Sequence, residues 1–370
     1  MRIGNIELKN NIFLAPMAGV NDVGFRALAS FFGAEIAYTE MVSAKGLIYG
    51  EGKALHTPLN PNFAKENEKF ASNKSSWLLL TEDVEKIKAV QIFGADPKYM
   101  ARACKLDYLK KFDIIDINMG CPAPKIVRNG EGSALMENMA LAKQVIEECV
   151  KVSDKPITVK FRKGYKINNA VEFAKMCEQA GASAISVHTR FANQGYSGIV
   201  DYDLIKEIKQ SVKIPVIGSG DIEDEETYRK MLETGVDGIM VGRASFGNPM
   251  IFKALCELKS GIKVPMHEYI LKDNFFADVL EKDDINLLKE NENYIKYLCA
   301  KKHIKILRKY FAENFLIKYM RKHMLWYANG LKNNPELKQK IALSNDLDLS
   351  LEMLKEMILW NCSNWTVFLI

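Results

Sequence analysis

The sequence has few cysteines and no long apolar run. Its seven cysteines are odd in number and include no Cys-x-x-Cys pair. This pattern argues against a disulfide framework or a structural zinc site, and it favours a reducing cytoplasm. No apolar run approaches the roughly 20 residues that span a bilayer, and the first residues lack a signal-peptide pattern. We therefore expect a cytoplasmic protein, most simply a monomer, with neither a membrane segment nor a bound metal ion.

The composition is that of an ordinary globular protein. The 370 residues are 48% hydrophobic and 26% charged, which suits one large domain and a smaller one. The net charge of +5 says little by itself, so the distribution of charge along the chain is more informative.

Eight short β-like runs alternate with amphipathic helical segments. The runs are residues 12–17, 36–42, 89–94, 114–120, 157–162, 184–190, 215–221 and 238–243. Two of the helical segments stop at Gly181 and Gly235, a typical helix end. Eight strand–helix units in about 245 residues favour a closed parallel (β/α)8 barrel, the TIM-barrel architecture, over a doubly wound open sheet.

Two stretches depart from this alternation. Residues 58–76 are rich in Asn, Lys, Ser and Pro, which predicts a surface loop between the second and third strands. After Leu258 apolar residues recur at spacings of three and four, which predicts an all-helical region. We place the boundary near Gly261, so that residues 1–260 form the barrel domain and residues 261–370 a helical domain.

Residues 118–122, Asn-Met-Gly-Cys-Pro, follow an apolar strand and turn tightly. In parallel barrels the catalytic groups lie at the carboxyl ends of the strands, so Cys121 is expected at the rim. A thiol is mostly protonated at neutral pH and can act as a general acid. The alternative is a small buried hydrophobic side chain, which we expect for most of the other cysteines.

Three polar residues lie on or at the end of other predicted strands: Gln91, Lys160 and His188. An inward-facing Lys160 would need a negative partner, such as the charge on the ring of a reduced flavin, whereas an outward-facing lysine would be solvated. Gln91 could bind the same ring or be held by backbone groups. His188 could contact a ligand or be structural, and no second His, Cys or carboxylate stands at a metal-ligand spacing.

Glycine-rich turns follow the seventh and eighth predicted strands, at residues 218–221 (Gly-Ser-Gly-Asp) and 242–243 (Gly-Arg). Barrels of this class often bind phosphate with the loops after these two strands. The glycines allow backbone N–H groups to approach an anion, and Arg243 would add a charge. A tight turn without a ligand is the alternative for either glycine pair alone.

The predicted helical region carries a basic run. Between Lys296 and Lys322 there are nine Lys and Arg residues and one acidic residue, Glu313. Such a run could bind the phosphates of a nucleic acid, or it could be an ordinary solvated face. The aromatic residues interleaved with it are expected to be core residues.

The motifs and their order resemble those of the bacterial tRNA-dihydrouridine synthases, above all the B-type members. The resemblance covers roughly residues 1–330, and its most specific part is residues 116–122. The matching segments are residues 15–19, 90–94, 116–122, 125, 132–135, 188–190, 220–222, 242–243, 321–323 and 326–327.

The resemblance implies a barrel that binds flavin mononucleotide (FMN), NADPH as the electron donor, and a C-terminal helical domain that binds tRNA. Cys121 would be the catalytic proton donor. The implied cofactor-binding residues are Pro16, Met17, Ala18, Gln91, Lys160, His188, Ser219, Gly220, Asp221, Gly242 and Arg243. The implied contacts to uracil or tRNA are Asn118, Lys125, Arg162, Arg190, Arg321, Lys322 and His323.

Two other functions are kept open. The first is an FMN-dependent oxidoreductase that acts on a free pyrimidine, like dihydroorotate dehydrogenase, although such a substrate needs no basic helical tail. The second is a tRNA-binding protein without catalytic activity, which the presence of Cys121, Lys160 and the two glycine turns disfavours.

Overall fold

The computed structural model describes residues 1–50, 58–73, 75–331 and 335–363. A short hairpin (Arg2–Ile3 with Ile6–Glu7) precedes a closed barrel of eight parallel strands. The barrel strands are β1 (Ile12–Leu14), β2 (Ile36–Ser43), β3 (Ile87–Phe93), β4 (Ile114–Met119), β5 (Ile157–Gly164), β6 (Ala184–Phe191), β7 (Val216–Ser219) and β8 (Gly238–Val241). The strands pair in chain order, and β8 closes on β1, which confirms the predicted (β/α)8 barrel.

Three strands end two or three residues earlier than the sequence predicted: β1, β7 and β8. The end of β7 has a clear backbone cause, because φ is 125° at Gly220 and 47° at Asp221. These positive values cannot continue an extended strand. The residues that were assigned to the strand ends therefore belong to loops at the carboxyl rim of the barrel.

The helices in chain order are α1 (Val23–Phe31), α2 (Ala44–Tyr49), α3 (Pro61–Glu66), α4 (Glu68–Ala71), α5 (Pro97–Cys104), α6 (Pro124–Val127), α7 (Met139–Val152), α8 (Ala170–Gln179), α9 (Tyr202–Ser211), α10 (Glu225–Glu233), α11 (Ile251–Ser260), α12 (Met266–Tyr269), α13 (Asp284–Glu290), α14 (Tyr294–Tyr310), α15 (Glu313–Tyr327), α16 (Pro335–Leu343) and α17 (Leu347–Ser363). Among the helices that the structure describes, none combines the length and apolar character needed to cross a membrane.

The amino-terminal end of the barrel is closed by apolar packing. Ile3 and Leu8, in and beside the hairpin, share one buried cluster with Phe13, Tyr38 and Met240 from the barrel strands. These side chains fill the amino-terminal end of the barrel. The open space lies at the carboxyl end, where polar residues follow the strands.

Residues 58–76 are not a simple surface loop, which corrects the sequence prediction. They include α3 and α4, while Lys74 lies outside the described residues. The start of this segment pairs with the connection between α14 and α15, since Asn60 N donates to Tyr310 O at 2.7 Å and Ala312 N donates to Pro58 O at 3.0 Å. The segment therefore links the barrel to the helical region.

The helical region begins where it was predicted. Helix α11 ends at Gly261, which has a left-handed φ of 72°, and the described residues beyond it form α12–α17. The division into domains of residues 1–260 and 261–370 remains a prediction. A buried polar contact joins the two parts.

That contact is formed by Asp22, His303 and His323, which are all buried. Asp22 caps α1, and its Oδ1 lies 2.8 Å from His303 Nε2, while its Oδ2 lies 3.4 Å from His323 Nε2. Burial alone would raise the pKa of Asp22, but the charge and hydrogen bond of His303, with His323, hold that pKa below its ordinary range. The three side chains therefore fasten α14 and α15 to the barrel.

This arrangement corrects one predicted contact with tRNA. His323 is only 1% exposed, so its side chain has no surface to offer to an RNA. Among the described residues, Asp22 and the two histidines are also the one group of three possible metal ligands that converge. The absence of a bound metal remains a prediction.

Candidate active site

A cavity of about 650 Å³ opens at the carboxyl end of the barrel. All twelve residues predicted to bind the cofactor or to protonate the substrate line it, together with Asn118, Arg162 and Arg190. Lys125, Arg321, Lys322 and His323 do not. The strand topology therefore brings together side chains that are spread over more than 200 residues of sequence.

Cys121 is half-buried and lines the cavity. Its backbone is held on both sides, because Cys121 N donates to Asn118 Oδ1 at 2.9 Å and Cys121 O accepts from Ser133 N at 3.0 Å. Gly132 has a φ of 61°, and a Cβ there would lie 2.7 Å from Cys121 O. Glycine is therefore required at this close approach.

Lys160, on β5, faces the same cavity. Burial, together with the charge of Arg162, lowers the pKa of Lys160 to about 8, although the charge of Asp116 opposes the shift. An ammonium group in this position is stabilised by a negative ligand. The structure thus supports an inward-facing Lys160 over a solvated one.

The turns after β7 and β8 are held together by one carboxylate. Asp221 binds Arg190 through both oxygens, and Arg243 Nη2 donates to Asp221 Oδ1 at 2.6 Å. Hydrogen bonding from Arg190 is the main reason that the pKa of Asp221 lies below its ordinary value. Because Asp221 is neutralised by two arginines, its carboxylate can stand beside an anion, and Arg243 keeps 46% of its side chain exposed.

His188 is buried among cations. Burial, followed by the charges of Lys160, Arg162 and Arg190, lowers the pKa of His188 to about 2. Its Nε2 lies 3.2 Å from Arg190 Nη1. Since a guanidinium can only donate, Nε2 accepts, and the neutral ring carries its proton on Nδ1.

Two arginines that were predicted to contact tRNA, Arg162 and Arg190, donate hydrogen bonds to other groups of the protein. Arg190 donates from all three guanidinium nitrogens to His188, Asp221 and the loop carbonyls of Ser197 and Gly198. This corrects the prediction for Arg190, because none of its nitrogens is left without an internal partner.

Arg162 also holds loops, although it lines the cavity. Its Nε donates to Gly120 O at 2.9 Å, and its Nη1 donates to Gly195 O at 2.7 Å. It therefore connects the loop that carries Cys121 with the loop after β6. A direct contact between Arg162 and tRNA remains a prediction.

Tyr196 is a cavity residue that the sequence analysis missed. Its side chain is 59% exposed, and the guanidinium of Arg243 lies 4.4 Å from the centre of its ring. The signal in the sequence was weak: one aromatic residue flanked by Gly195, Ser197 and Gly198 in a loop after a strand. An exposed ring at the mouth of a cavity can stack on a flat ligand.

The remaining predicted contacts lie outside the cavity. Lys125 is exposed on α6, directly after the Cys121 turn. Arg321 binds Ser344 O and Asn345 Oδ1, so it fastens α15 to the segment after α16. Lys322 is half-buried, with its Nζ 4.2 Å from the ring centre of Tyr319. Contacts of these three residues with tRNA remain predictions.

The basic run in the helical region is not a free positive face. Five of its nine basic residues form ion pairs, mostly with acids from other parts of the chain. The pairs are Lys301–Glu281, Lys302–Asp278, Lys305–Asp278, Arg308–Glu313, Arg308–Asp348 and Lys309–Glu82. These ion pairs reduce the positive charge that the run offers to a phosphate, and its contact with tRNA remains a prediction.

Glu40 anchors the loop after β1, which carries the predicted cofactor residues 16–18. It is 7% exposed and accepts a hydrogen bond from Gly19 N. Burial raises the pKa of Glu40 to about 7, although the bond from Gly19 and the charge of Lys322 oppose the shift. Near pH 7 the folded protein therefore holds the neutral and the ionised carboxyl in about equal amounts, whereas an ordinary glutamate would be ionised.

We expect the free energy of unfolding to fall as pH rises from about 4.5 through about 7, because ionised Glu40 is disfavoured only in the folded state. Glu40→Gln keeps the hydrogen-bond acceptor and should remove this dependence. The difference in unfolding free energy between Glu40→Gln and wild type should be larger at about pH 9 than at about pH 5, in favour of the variant, by on the order of 3 kcal/mol. Urea denaturation at both pH values measures this. Glu147→Gln, at an exposed position of α7, is the control. If the two variants showed the same change in unfolding free energy with pH, the expectation would be contradicted.

The chain matches the family model described as dihydrouridine synthase (Dus) over residues 13–362. It is 35% identical over 352 residues to the tRNA-dihydrouridine synthase B of Pasteurella multocida, with 94% of this chain and 92% of that protein covered. It is also 35% identical over 350 residues to a probable tRNA-dihydrouridine synthase of Rickettsia conorii, with coverages of 94% and 92%. The similarity extends beyond residue 330, where the resemblance drawn from motifs had stopped.

The fold is shared with a distant solved structure. A 2-naphthoyl-CoA reductase superimposes on 70% of this chain and 51% of its own, with a TM-score of 0.51 and 12% sequence identity. At this identity the likeness concerns the barrel fold alone.

Proposed function

The chain belongs to the dihydrouridine synthase family, and from that premise we propose that it reduces the 5,6-double bond of uridine in tRNA. The observation that carries this proposal is that a thiol, Cys121, and a half-buried cation, Lys160, share one cavity at the carboxyl rim of the barrel. A proton donor and a site for an anionic cofactor are the two elements that such a reduction needs.

The cavity residues fit a flavin mononucleotide. The cavity volume of about 650 Å³ lies in the range of cofactor pockets. Lys160 and Gln91 would bind the flavin ring, and residues 16–18 would line it. His188 would flank the ring, while Ser219, Gly220, Asp221, Gly242 and Arg243 would surround the phosphate end. A bound flavin, reduced by NADPH, would supply the hydride that adds to carbon 6 of uracil.

The protein supplies the proton. In this proposal the Cys121 S–H bond breaks, its proton adds to carbon 5, and the resulting thiolate takes a proton from water. Uridine, NADPH and one proton thus give dihydrouridine and NADP⁺. The base must leave its stack to reach the cavity, and Asn118 would bind the uracil edge there.

Electrostatic attraction should bring the RNA to the mouth of the cavity, in part through α6. Lys125 and Arg128 are exposed directly after the Cys121 turn, and phosphate contacts of this kind weaken with salt. Lys322 lies near Gly19 on the same rim and would contribute from the helical region. We propose residues 1–260 as the catalytic domain and residues 261–370 as the tRNA-binding domain of a cytoplasmic protein.

The double reversal Lys125→Glu and Arg128→Glu should weaken tRNA binding by roughly tenfold or more, because two phosphate contacts become repulsive. The slope of affinity against salt concentration should also fall. Filter binding at several salt concentrations measures both quantities. Lys151→Glu, in the last turn of α7 at the amino-terminal end of the barrel, is the control. If the two proteins bound tRNA equally well, α6 would not be part of the RNA surface.

Two observations distinguish the proposal from the other functions. An oxidoreductase for a free pyrimidine would turn over uracil or orotate without RNA. A tRNA-binding protein without catalytic activity would purify colourless and would not be reduced by NADPH.

The proposed function is tested by mapping dihydrouridine in the tRNA of cells that lack this protein. Mass spectrometry of the purified tRNAs should show uridine in place of dihydrouridine at one or more positions, and the wild-type gene should restore the modification. Cys121→Ala should not restore it. An unchanged dihydrouridine content in the deletion strain, at every position, would contradict the proposal.

A further inference from the structure

A chain of hydrogen bonds runs beneath the cavity across three neighbouring strands. Thr158 Oγ1, on β5, donates to Asp116 Oδ1 at 2.6 Å, and Gln91 Nε2, on β3, donates to Asp116 Oδ2 at 2.7 Å. Asn118 Nδ2 then donates to Gln91 Oε1 at 2.8 Å. Finally, Cys121 N donates to Asn118 Oδ1 at 2.9 Å. All four side chains are at least 93% buried.

The register of the barrel explains why these residues meet. Asp116 lies beside Gln91 on one neighbouring strand and beside Thr158 on the other. Asp116 is 1% exposed and is not among the residues that line the cavity, whereas Gln91, Asn118 and Cys121 are. Asp116 therefore acts from below the site without touching a ligand.

The direction of the chain is fixed at both ends. Burial raises the pKa of Asp116 to about 6, although the hydrogen bonds from Gln91 and Thr158 oppose the shift, so the carboxylate is ionised at neutral pH. An ionised carboxylate can only accept hydrogen bonds, and backbone N–H groups can only donate. Gln91 must therefore turn its NH₂ group toward Asp116 and its oxygen toward Asn118. Asn118 must in turn present its NH₂ group to Gln91 and its oxygen to the N–H groups of Gly120 and Cys121. Neither amide can flip without breaking a buried bond.

We propose that Asp116, supported by Thr158, is a positioning residue. It sets the orientation of the Gln91 and Asn118 amides, and through Asn118 it holds the backbone of the proton donor Cys121. The inference deepens the proposed function and rests on it for the role of Cys121. It also assigns the polarity of the site, because Asn118 Oδ1 already accepts two backbone N–H groups and only an N–H donor remains for a ligand. That donor suits a carbonyl oxygen such as those of uracil.

Reversal of the two hydrogen bonds made by the Gln91 side chain tests this inference. Asn118→Asp places a second acceptor against Gln91 Oε1, and Gln91 cannot turn because its NH₂ group is bound to Asp116. The double variant Asp116→Asn/Asn118→Asp allows the two bonds of the Gln91 side chain to reverse, since the amide introduced by Asp116→Asn would donate to Gln91 and still accept from Thr158, while the two end bonds keep their direction. The single variant should thus loosen the Cys121 turn, and the second substitution should restore it.

The readout is the rate at which a neutral maleimide alkylates Cys121 in flavin-free protein, followed by peptide mass spectrometry. Asn118→Asp should raise this rate about tenfold and lower the melting temperature, as expected for an unsatisfied buried polar group. The double variant should return the rate to within about threefold of wild type, which is the non-additivity expected of coupled residues.

Asn73→Asp is the matched control, because Asn73 is fully buried and donates to Leu47 O at 2.8 Å outside the cavity. It should lower stability without changing Cys121 alkylation, and Asp116→Asn should not rescue it. If Asp116→Asn failed to restore the alkylation rate of Asn118→Asp, the inference would be wrong. That failure is separate from a failure of the proposed function, which would appear as a wild-type protein that makes no dihydrouridine.

Discussion

Replacement of Cys121 by alanine should reduce dihydrouridine formation in tRNA by roughly 10²–10⁴-fold, the usual contribution of a general acid. The substitution removes only the Sγ atom from the cavity, and the backbone bonds from Asn118 and Ser133 remain. We therefore expect the purified variant to keep its bound flavin and to be reduced by NADPH at the wild-type rate. Stopped-flow absorbance measures the reduction, and nucleoside mass spectrometry measures the product.

Cys256→Ala is the matched control. Cys256 is half-buried like Cys121, but its thiol lies near Gly33 O, away from the cavity. This variant should make dihydrouridine at the normal rate. A Cys121→Ala enzyme with normal product formation would show that another group donates the proton, whereas loss of the flavin itself would show a structural role for the thiol.

Lys160→Met should weaken flavin binding by roughly tenfold to a hundredfold, the factor that corresponds to a hydrogen bond from a charged donor of about 1.5–3 kcal/mol. Methionine has nearly the same length, so the change mainly removes the charge. Fluorescence titration of flavin-free protein with FMN measures the affinity. Because the pKa of Lys160 is about 8, wild-type affinity should also decline as pH rises above about 8, where the ammonium loses its proton.

Lys163→Met provides the comparison on the same strand. Lys163 is bonded to Asp201 at 2.8 Å instead of facing the cavity, so its loss should leave FMN affinity and its pH dependence unchanged. Equal affinity of Lys160→Met and wild type at neutral pH would mean that Lys160 does not bind the cofactor.

Much of the fold could be predicted from the sequence because its signals are local. Apolar runs of six or seven residues, each followed by an amphipathic segment, indicated the barrel, and a glycine or proline after a strand indicated the rim. Cys121, Gly220 and Gly242 were found in this way. Since all parallel strands of a barrel end at one rim, residues that were far apart in sequence could be assigned to one cavity.

The remaining features depend on contacts that no local pattern reveals. Lys309 looked like part of a basic face, but its partner Glu82 lies 227 residues away. His323 looked like an RNA contact, but its neighbour is Asp22 at the start of α1. Asp116 was read as an ordinary strand residue within a motif, because its role depends on the register of β3 and β5 with β4.

The central claim is tested most directly with the purified protein, NADPH and an unmodified tRNA transcript. After digestion, mass spectrometry should find dihydrouridine in the transcript, with one NADPH consumed for each dihydrouridine formed. The Cys121→Ala reaction should form at least about 100-fold less dihydrouridine. Oxidation of NADPH with free uracil or orotate as acceptor, while the uridines of the tRNA remained unreduced, would contradict the account.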